Sequence, residues 1–157
     1  MRREDHRMPA EECDALLRRA EVCRLGMIEG GQPYVVPVNF GYDGERIYVH
    51  GPREGRRITA IDGGARVCFE VDEGEGIPAD RPCGYTSRFR SVIGYGVARL
   101  LVDEDQKQHG LDVIMRHYGS TGEGIPPEKR AITSVLEIVI ETMDGKWHGV
   151  TRAPEGE

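Results

Sequence analysis

The chain has 157 residues, of which 38% are hydrophobic and 31% charged, with a formal net charge of −6 and 21 glycines. That length suits one domain built on one core, here taken as residues 9–148 of 1–157. The acidic balance argues against nucleic acid as the main partner. No apolar run approaches the ~20 residues that span a bilayer. The charged start, residues 1–7, is not followed by the apolar segment of a secretory signal, so a cytoplasmic protein without membrane contact is expected.

In chain order, Cys13, Leu16, Leu17 and Ala20 recur at i, i+3, i+4 and i+7. This predicts an amphipathic helix with Pro9 near its first turn. Residues 22–28 read as a strand, 29–32 as a turn and 34–40 as a second strand. Pro33 and Pro37 confine that strand to an edge or a bulge. Asp43-Gly44 predicts a hairpin with a type I′ turn, and 47–50 is the third strand. Gly51-Pro52 then turns the chain toward a short helix carried by Ile58 and Ile61. Residues 66–71 alternate, with Val67, Phe69 and Val71 on one face. Residues 72–84 are acidic, contain Gly and Pro, and are expected to form a loop. Residues 91–102 read as a long strand in which Gly94 and Gly96 mark a bulge or a close backbone approach. A second long helix runs from Asp103 or Glu104 to Tyr118, with Leu111, Ile114, Met115 and Tyr118 on one face. After a loop at 120–127, residues 135–142 form the last strand, and 149–157 are expected to fray. Six short strands with two or three outer helices predict a mainly β protein, a small antiparallel barrel rather than a doubly wound sheet.

Several chemistries are excluded. Cys13, Cys23, Cys68 and Cys83 show neither a C-x-x-C pair nor zinc-like spacing; Cys23 and Cys68 read as small core residues. His6, His50, His109, His117 and His148 have no metal-ligand spacing, so no metal is expected. No G-x-G-x-x-G opens a helix, and neither a Walker motif nor a G-x-S-x-G elbow is present.

The densest chemistry lies at the third strand's exit, where Arg53, Arg56 and Arg57 crowd the start of a helix. In a chain of net negative charge this cluster is a local feature. Helix-start N–H groups favour an anion, and arginines add charge and forked donors. The cluster reads as a phosphate seat; the competing reading is a solvated basic face. His50 is either a satisfied strand-end histidine or part of the site. Asn39, polar in an apolar strand, either bonds a planar heterocycle whose face Val36 and Val38 cover, or satisfies nearby backbone. Arg88 and Arg90 either close over an anionic ligand or a second subunit, or are surface charge. Trp147 either caps a pocket or packs near the C-terminus.

Six motifs, in order, are Cys23-Arg-Leu-Gly26, Pro33-Tyr-Val-Val-Pro-Val-Asn-Phe-Gly-Tyr42, Tyr48-Val-His-Gly51, Glu54-Gly-Arg-Arg57, Val67-Cys-Phe-Glu70 and Arg90-Ser-Val-Ile-Gly-Tyr-Gly96. Together they resemble the nitroimidazole-resistance branch of the pyridoxamine 5′-phosphate oxidase-like flavoproteins, over about residues 1–148. The resemblance implies a six-stranded split β-barrel that binds FMN at a homodimer interface. It implies that Arg53, Gly55, Arg56 and Arg57 hold the phosphate. It further implies that Val36, Pro37, Val38 and Asn39 line the isoalloxazine and that Ser91 and Val92 come from the facing strand. His50 matches a histidine near the flavin and is the one catalytic candidate. FAD or a deazaflavin is less expected than FMN. The chain lacks a C-terminal Arg-rich segment, so oxidation of pyridoxamine phosphate itself is not expected. The expected activity is reduction of small electrophiles, nitroaromatics such as 5-nitroimidazoles among them. The alternatives are a non-catalytic flavin- or haem-binding module, a deazaflavin-dependent reductase on the same barrel, and a dimeric module without ligand.

Overall fold

A computed structural model describes residues 6–78, 84–120 and 124–150. Cys83, part of the 72–84 segment and most of the expected fraying tail lie outside the described residues. The elements are β1 (Arg7–Met8), α1 (Ala10–Arg19), β2 (Cys23–Glu29), β3 (Gln32–Val38), β4 (Phe40–Tyr42), β5 (Arg46–Pro52), α2 (Arg56–Ala60), β6 (Ala65–Ile77), β7 (Thr86–Leu100), α3 (Glu104–His117), α4 (Pro127–Ala131) and β8 (Thr133–His148). Among the described residues all strand pairs are antiparallel, in the order β3-β2-β6-β7-β8-β5-β4, with β1 added to β8.

The two ends of that order, β3 and β4, are separated in the chain by a single residue, Asn39. Strands that are neighbours in sequence thus occupy opposite edges of the sheet. The peptide chain itself draws those edges together, and the sheet closes into a barrel that is split at Asn39. This is the expected mainly β split barrel. It has eight strands rather than six: the 34–40 run divides at Asn39, and the two-residue β1 carries no periodic signal.

Alternation sends one side of each strand inward. Phe40, Ile47, Val49, Leu25, Phe69, Val71, Val92 and Ile138 meet inside the barrel with Leu16 and Leu17 of α1. Phe40 and Phe69 are fully buried; truncating either to Ala would cost about 3–5 kcal/mol. A second cluster joins Tyr48, Leu101 and Val135 to Leu111, Val113 and Ile114 of α3. α3 approaches β4 so closely that a Cβ on Gly41 would lie 2.6 Å from the Ile114 backbone nitrogen.

Two local expectations are corrected. Residues 72–77 are not a loop: β6 continues to Ile77, paired residue by residue with β7 down to Ile77↔Thr86. Backbone hydrogen bonds hold this extension, which projects past the core and therefore needs no apolar residues. The 42–45 turn is shifted by one residue. Asp43 N–H donates to the Arg46 carbonyl, so Gly44 and Glu45 occupy the centre, and Gly44 alone of the Asp-Gly pair is a glycine at positive φ, +110°. Asp43 Oδ1 accepts from the backbone of Glu45 and Arg46, which holds its carboxyl below the usual range against the opposing effect of burial. The glycine signal in β7 holds. The register slips between Tyr95 and Gly96, and a Cβ on Gly94 would strike the Phe69 ring.

Candidate functional site

The basic turn sits between β5 and α2. Its first determinant is Gly51, because a Cβ there would lie 1.9 Å from Arg57 Nη2. The missing side chain leaves room for the Arg57 guanidinium against the strand backbone, where Nη2 donates to the His50 carbonyl at 3.2 Å. Arg57 Nε is buried without a hydrogen-bond partner, and burial lowers the pKa of this arginine. Among the described residues no carboxylate lies within ion-pair distance of it. Arg56 differs: it stacks 4.4 Å over the Tyr34 ring and pairs with Glu29 at 3.1 Å. Arg53 turns the other way and donates to the Ala131 carbonyl at 3.1 Å, over a groove of about 420 Å³ shared with Lys107 and Ser134. The structure therefore groups Arg56 and Arg57 beside β3 and sets Arg53 on the α4 side. α2 has only five residues, opened by Gly55 at φ +120°. So short a helix adds little dipole, and the guanidinium groups are the main attraction for an anion.

Asn39 and His50 come together through the barrel split. Phe40 pairs with Val49, and the next residues along those antiparallel strands are Asn39 and His50. His50 is exposed, yet its pKa is lowered, first by partial burial of the ring and then by the charge of Arg57. Both effects favour the uncharged imidazole. Asn39 Nδ2 donates to the Tyr118 hydroxyl at 3.2 Å. Val36 is half-buried against the core, and Pro37 is exposed on the opposite face of β3. Val38 and Val92 are 7% and 0% exposed, in the core itself, so in this chain they shape the site from beneath. Ser91 is half-buried, between Asp72 and Lys146 in the sheet.

The remaining candidates have found protein partners. Arg88 pairs with Glu75 at 3.4 Å, and Arg90 with Glu73 at 3.1 Å and the buried Glu12 at 3.8 Å. Trp147 is half-buried on the main core. Burial pushes the Cys13 thiol up to about 11 and the Cys23 thiol up to about 12, which leaves both unreactive at neutral pH. Among the described residues no three His, Cys, Asp or Glu side chains gather as a metal site, and no helix is long and apolar enough to cross a membrane. The sequence reading overlooked Gly51, Tyr118 and Glu29. Only Gly51 had a local signal, as the glycine immediately before the Arg-rich turn.

A half-buried arginine lacking a carboxylate, a strand-end imidazole and an amide at the split suit a phosphorylated planar ligand. Comparison with known proteins identifies the family. Residues 9–147 match the family model described as pyridoxamine 5′-phosphate oxidase. A candidate 5-nitroimidazole antibiotic resistance protein of Bacteroides thetaiotaomicron is 28% identical with a TM-score of 0.80, over 90% of this chain and 86% of that one. An FAD-binding protein of Mesorhizobium loti is 26% identical with a TM-score of 0.67, over 91% and 97%. An FAD- and haem-binding protein of Mycobacterium smegmatis shares the fold at 21% identity and a TM-score of 0.80, over 94% and 76%. A curated relative, an uncharacterised protein of Rhizobium meliloti, is 27% identical over a stretch covering 42% of this chain and 43% of its own length. From its matched model and its split barrel, this chain belongs to the pyridoxamine 5′-phosphate oxidase-like family.

Proposed function

We propose that this protein is a homodimeric, FMN-dependent oxidoreductase that reduces small electrophiles, nitroaromatics among them. The observation that carries the reading is Arg57. Its guanidinium occupies a cradle that a Cβ on Gly51 would fill, with a buried nitrogen unpartnered and no carboxylate beside it. Placing a cation there is costly without an anion to complete it. The donor set of Arg56 and Arg57 fits a phosphate, and the surface beside it, from Val36 to Asn39 and His50, fits a planar ring.

When bound, the flavin supplies the electron transfer. The chain's own residues bind and orient it. Arg56 and Arg57 hold the phosphate, Arg53 and Gly55 shape the turn, and Val36 and Pro37 flank the ring. Neutral His50 offers the substrate a hydrogen-bonding imidazole without adding positive charge. Ile93, Tyr95 and Val97 form an exposed apolar row on β7, and Val139, the partner of Val97, extends it. Such a row on a small domain suits a second copy of the chain, which would bring Ser91 to the shared site.

The test is the visible spectrum of the purified protein, with the released cofactor identified by mass and the oligomer measured by sedimentation. FMN in a dimer that passes electrons from a nicotinamide donor to a nitroaromatic supports the proposal. FAD would keep the oxidoreductase reading and change the cofactor, in line with the Mesorhizobium relative. A haem spectrum, or a bound flavin that is never reduced by the donor, would favour a binding module. A colourless protein that takes up no added flavin refutes the reading.

A further inference from the structure

The Tyr118 hydroxyl lies at the end of α3, and three groups converge on it from distant parts of the chain. The Phe40 backbone N–H donates to it at 3.1 Å and Asn39 Nδ2 at 3.2 Å, while it stands 2.5 Å from the Glu21 carbonyl. A phenol has one proton and two lone pairs. A carbonyl only accepts, so the proton goes to Glu21. A backbone N–H only donates, so one lone pair goes to Phe40. The remaining lone pair demands a donor, and of the two ends of the Asn39 amide only Nδ2 supplies one. The hydroxyl's bonding capacity is thereby exhausted, and the amide orientation follows by elimination rather than by choice. His117 braces the same corner: its Nε2 donates to the Ala20 carbonyl at 2.7 Å, and its ring packs 4.6 Å from Phe40.

The consequence falls on the other end of the amide. The single bond to Tyr118 uses one of the two Nδ2 protons and fixes the amide orientation, so Asn39 keeps one N–H and holds Oδ1, a pure acceptor, in a set position at the barrel split beside His50. A ligand edge facing Oδ1 must offer a donor. The oxidised isoalloxazine has a single ring N–H, the imide at N3; its N1 and N5 nitrogens and two carbonyl oxygens accept. We propose that Tyr118 is a specificity-determining positioning residue, which locks Asn39 so that the site selects a heterocycle presenting an imide-type N–H. The proposal rests on the flavin reading above and deepens it.

The experiment measures dissociation constants by flavin fluorescence for FMN and for its N3-methyl analogue, with the wild-type chain, Tyr118→Phe and Asn39→Leu. Wild type is expected to bind FMN about tenfold more tightly than the methylated analogue, the worth of one hydrogen bond. In both variants the preference should fall to about twofold or less, since a free amide can rotate and a Leu cannot accept. Asn39→Leu keeps the other two bonds of Tyr118, and if Tyr118→Phe fails to fold, a preference retained by Asn39→Leu still overturns the proposal. A tenfold preference that persists in the variants would show steric exclusion of the methyl group and overturn the proposal while leaving flavin binding intact. Equal binding of the two flavins by wild type would overturn it as well. Failure of wild type to bind either flavin would overturn the flavin reading and this inference together.

Discussion

Two arginine pairs on this barrel have opposite fates. Arg46 and Arg99 converge on Glu137, a carboxylate only 5% exposed, at 3.4 and 3.1 Å. Arg56 and Arg57 adjoin in sequence; the first meets Glu29, but the second meets only a carbonyl. The first pair is a closed structural unit, since both cations meet one buried anion. The second leaves donor capacity unspent beside a ligand-sized surface. Neither a count of arginines nor one of nearby carboxylates separates the two regions; what separates them is that both guanidinium groups reach a carboxylate in the first and only one does in the second.

The sharpest way to break the contrast is to remove the open pair. Arg56→Ala with Arg57→Ala should weaken FMN about a hundredfold or more, the sum of two charge-assisted anion contacts, with the melting temperature little changed. Flavin retained at wild-type affinity would refute the phosphate seat. Gly51→Ala should cost about tenfold in FMN affinity without altering any charge, because the new Cβ must displace Arg57. Titration calorimetry would measure both.

Glu29→Gln sharpens the comparison from the other side. The Glu29 carboxylate occupies part of the Arg56 fork that a phosphate would need. Its neutral analogue should bind FMN about two- to fivefold more tightly, and weaker binding would assign Glu29 to positioning Arg56. His50 reports on Arg57 directly. Its imidazole should titrate below 6.5 by NMR, and Arg57→Leu, which keeps the burial but removes the charge, should move the pKa part of the way back. Because the folded value lies below the unfolded one, the unfolded chain binds the proton first. Stability should be full above about pH 6.5 and fall as the pH drops toward the folded value. Finally, Arg99→Met should leave FMN affinity unchanged and cost about 1 kcal/mol of stability, since Arg46 still faces Glu137 and Arg99 is half-exposed. A loss of flavin there would join the two regions into one site.

Much of this molecule was legible before its fold. The strands around Leu25, Val49, Phe69 and Leu136, the amphipathic α1 and α3, and the edge position of β3 with its prolines followed from period and turn chemistry. The basic turn was visible because three arginines in five positions are rare in an acidic chain. The outer ends of β6 and β7 were not legible, because a ladder projecting beyond the core is held by backbone bonds that leave no hydrophobic pattern. Arg88 and Arg90 meet Glu75, Glu73 and Glu12, pairings that no local pattern announces.

The sequence by itself determined the strand periodicity, the helix faces, the family motifs and the concentration of positive charge before α2, all of which are properties of neighbouring residues. Only the tertiary structure decided which arginine would lack a carboxylate, that Gly51 would make room for Arg57, and that Tyr118 would orient Asn39 from 79 positions away. Those depend on the register of β5 on β8, on the docking of α3 and on closure of the sheet across a single residue. Hydrogen bonds and ion pairs form between whichever groups that geometry brings within about 3 Å, and separation along the chain does not enter.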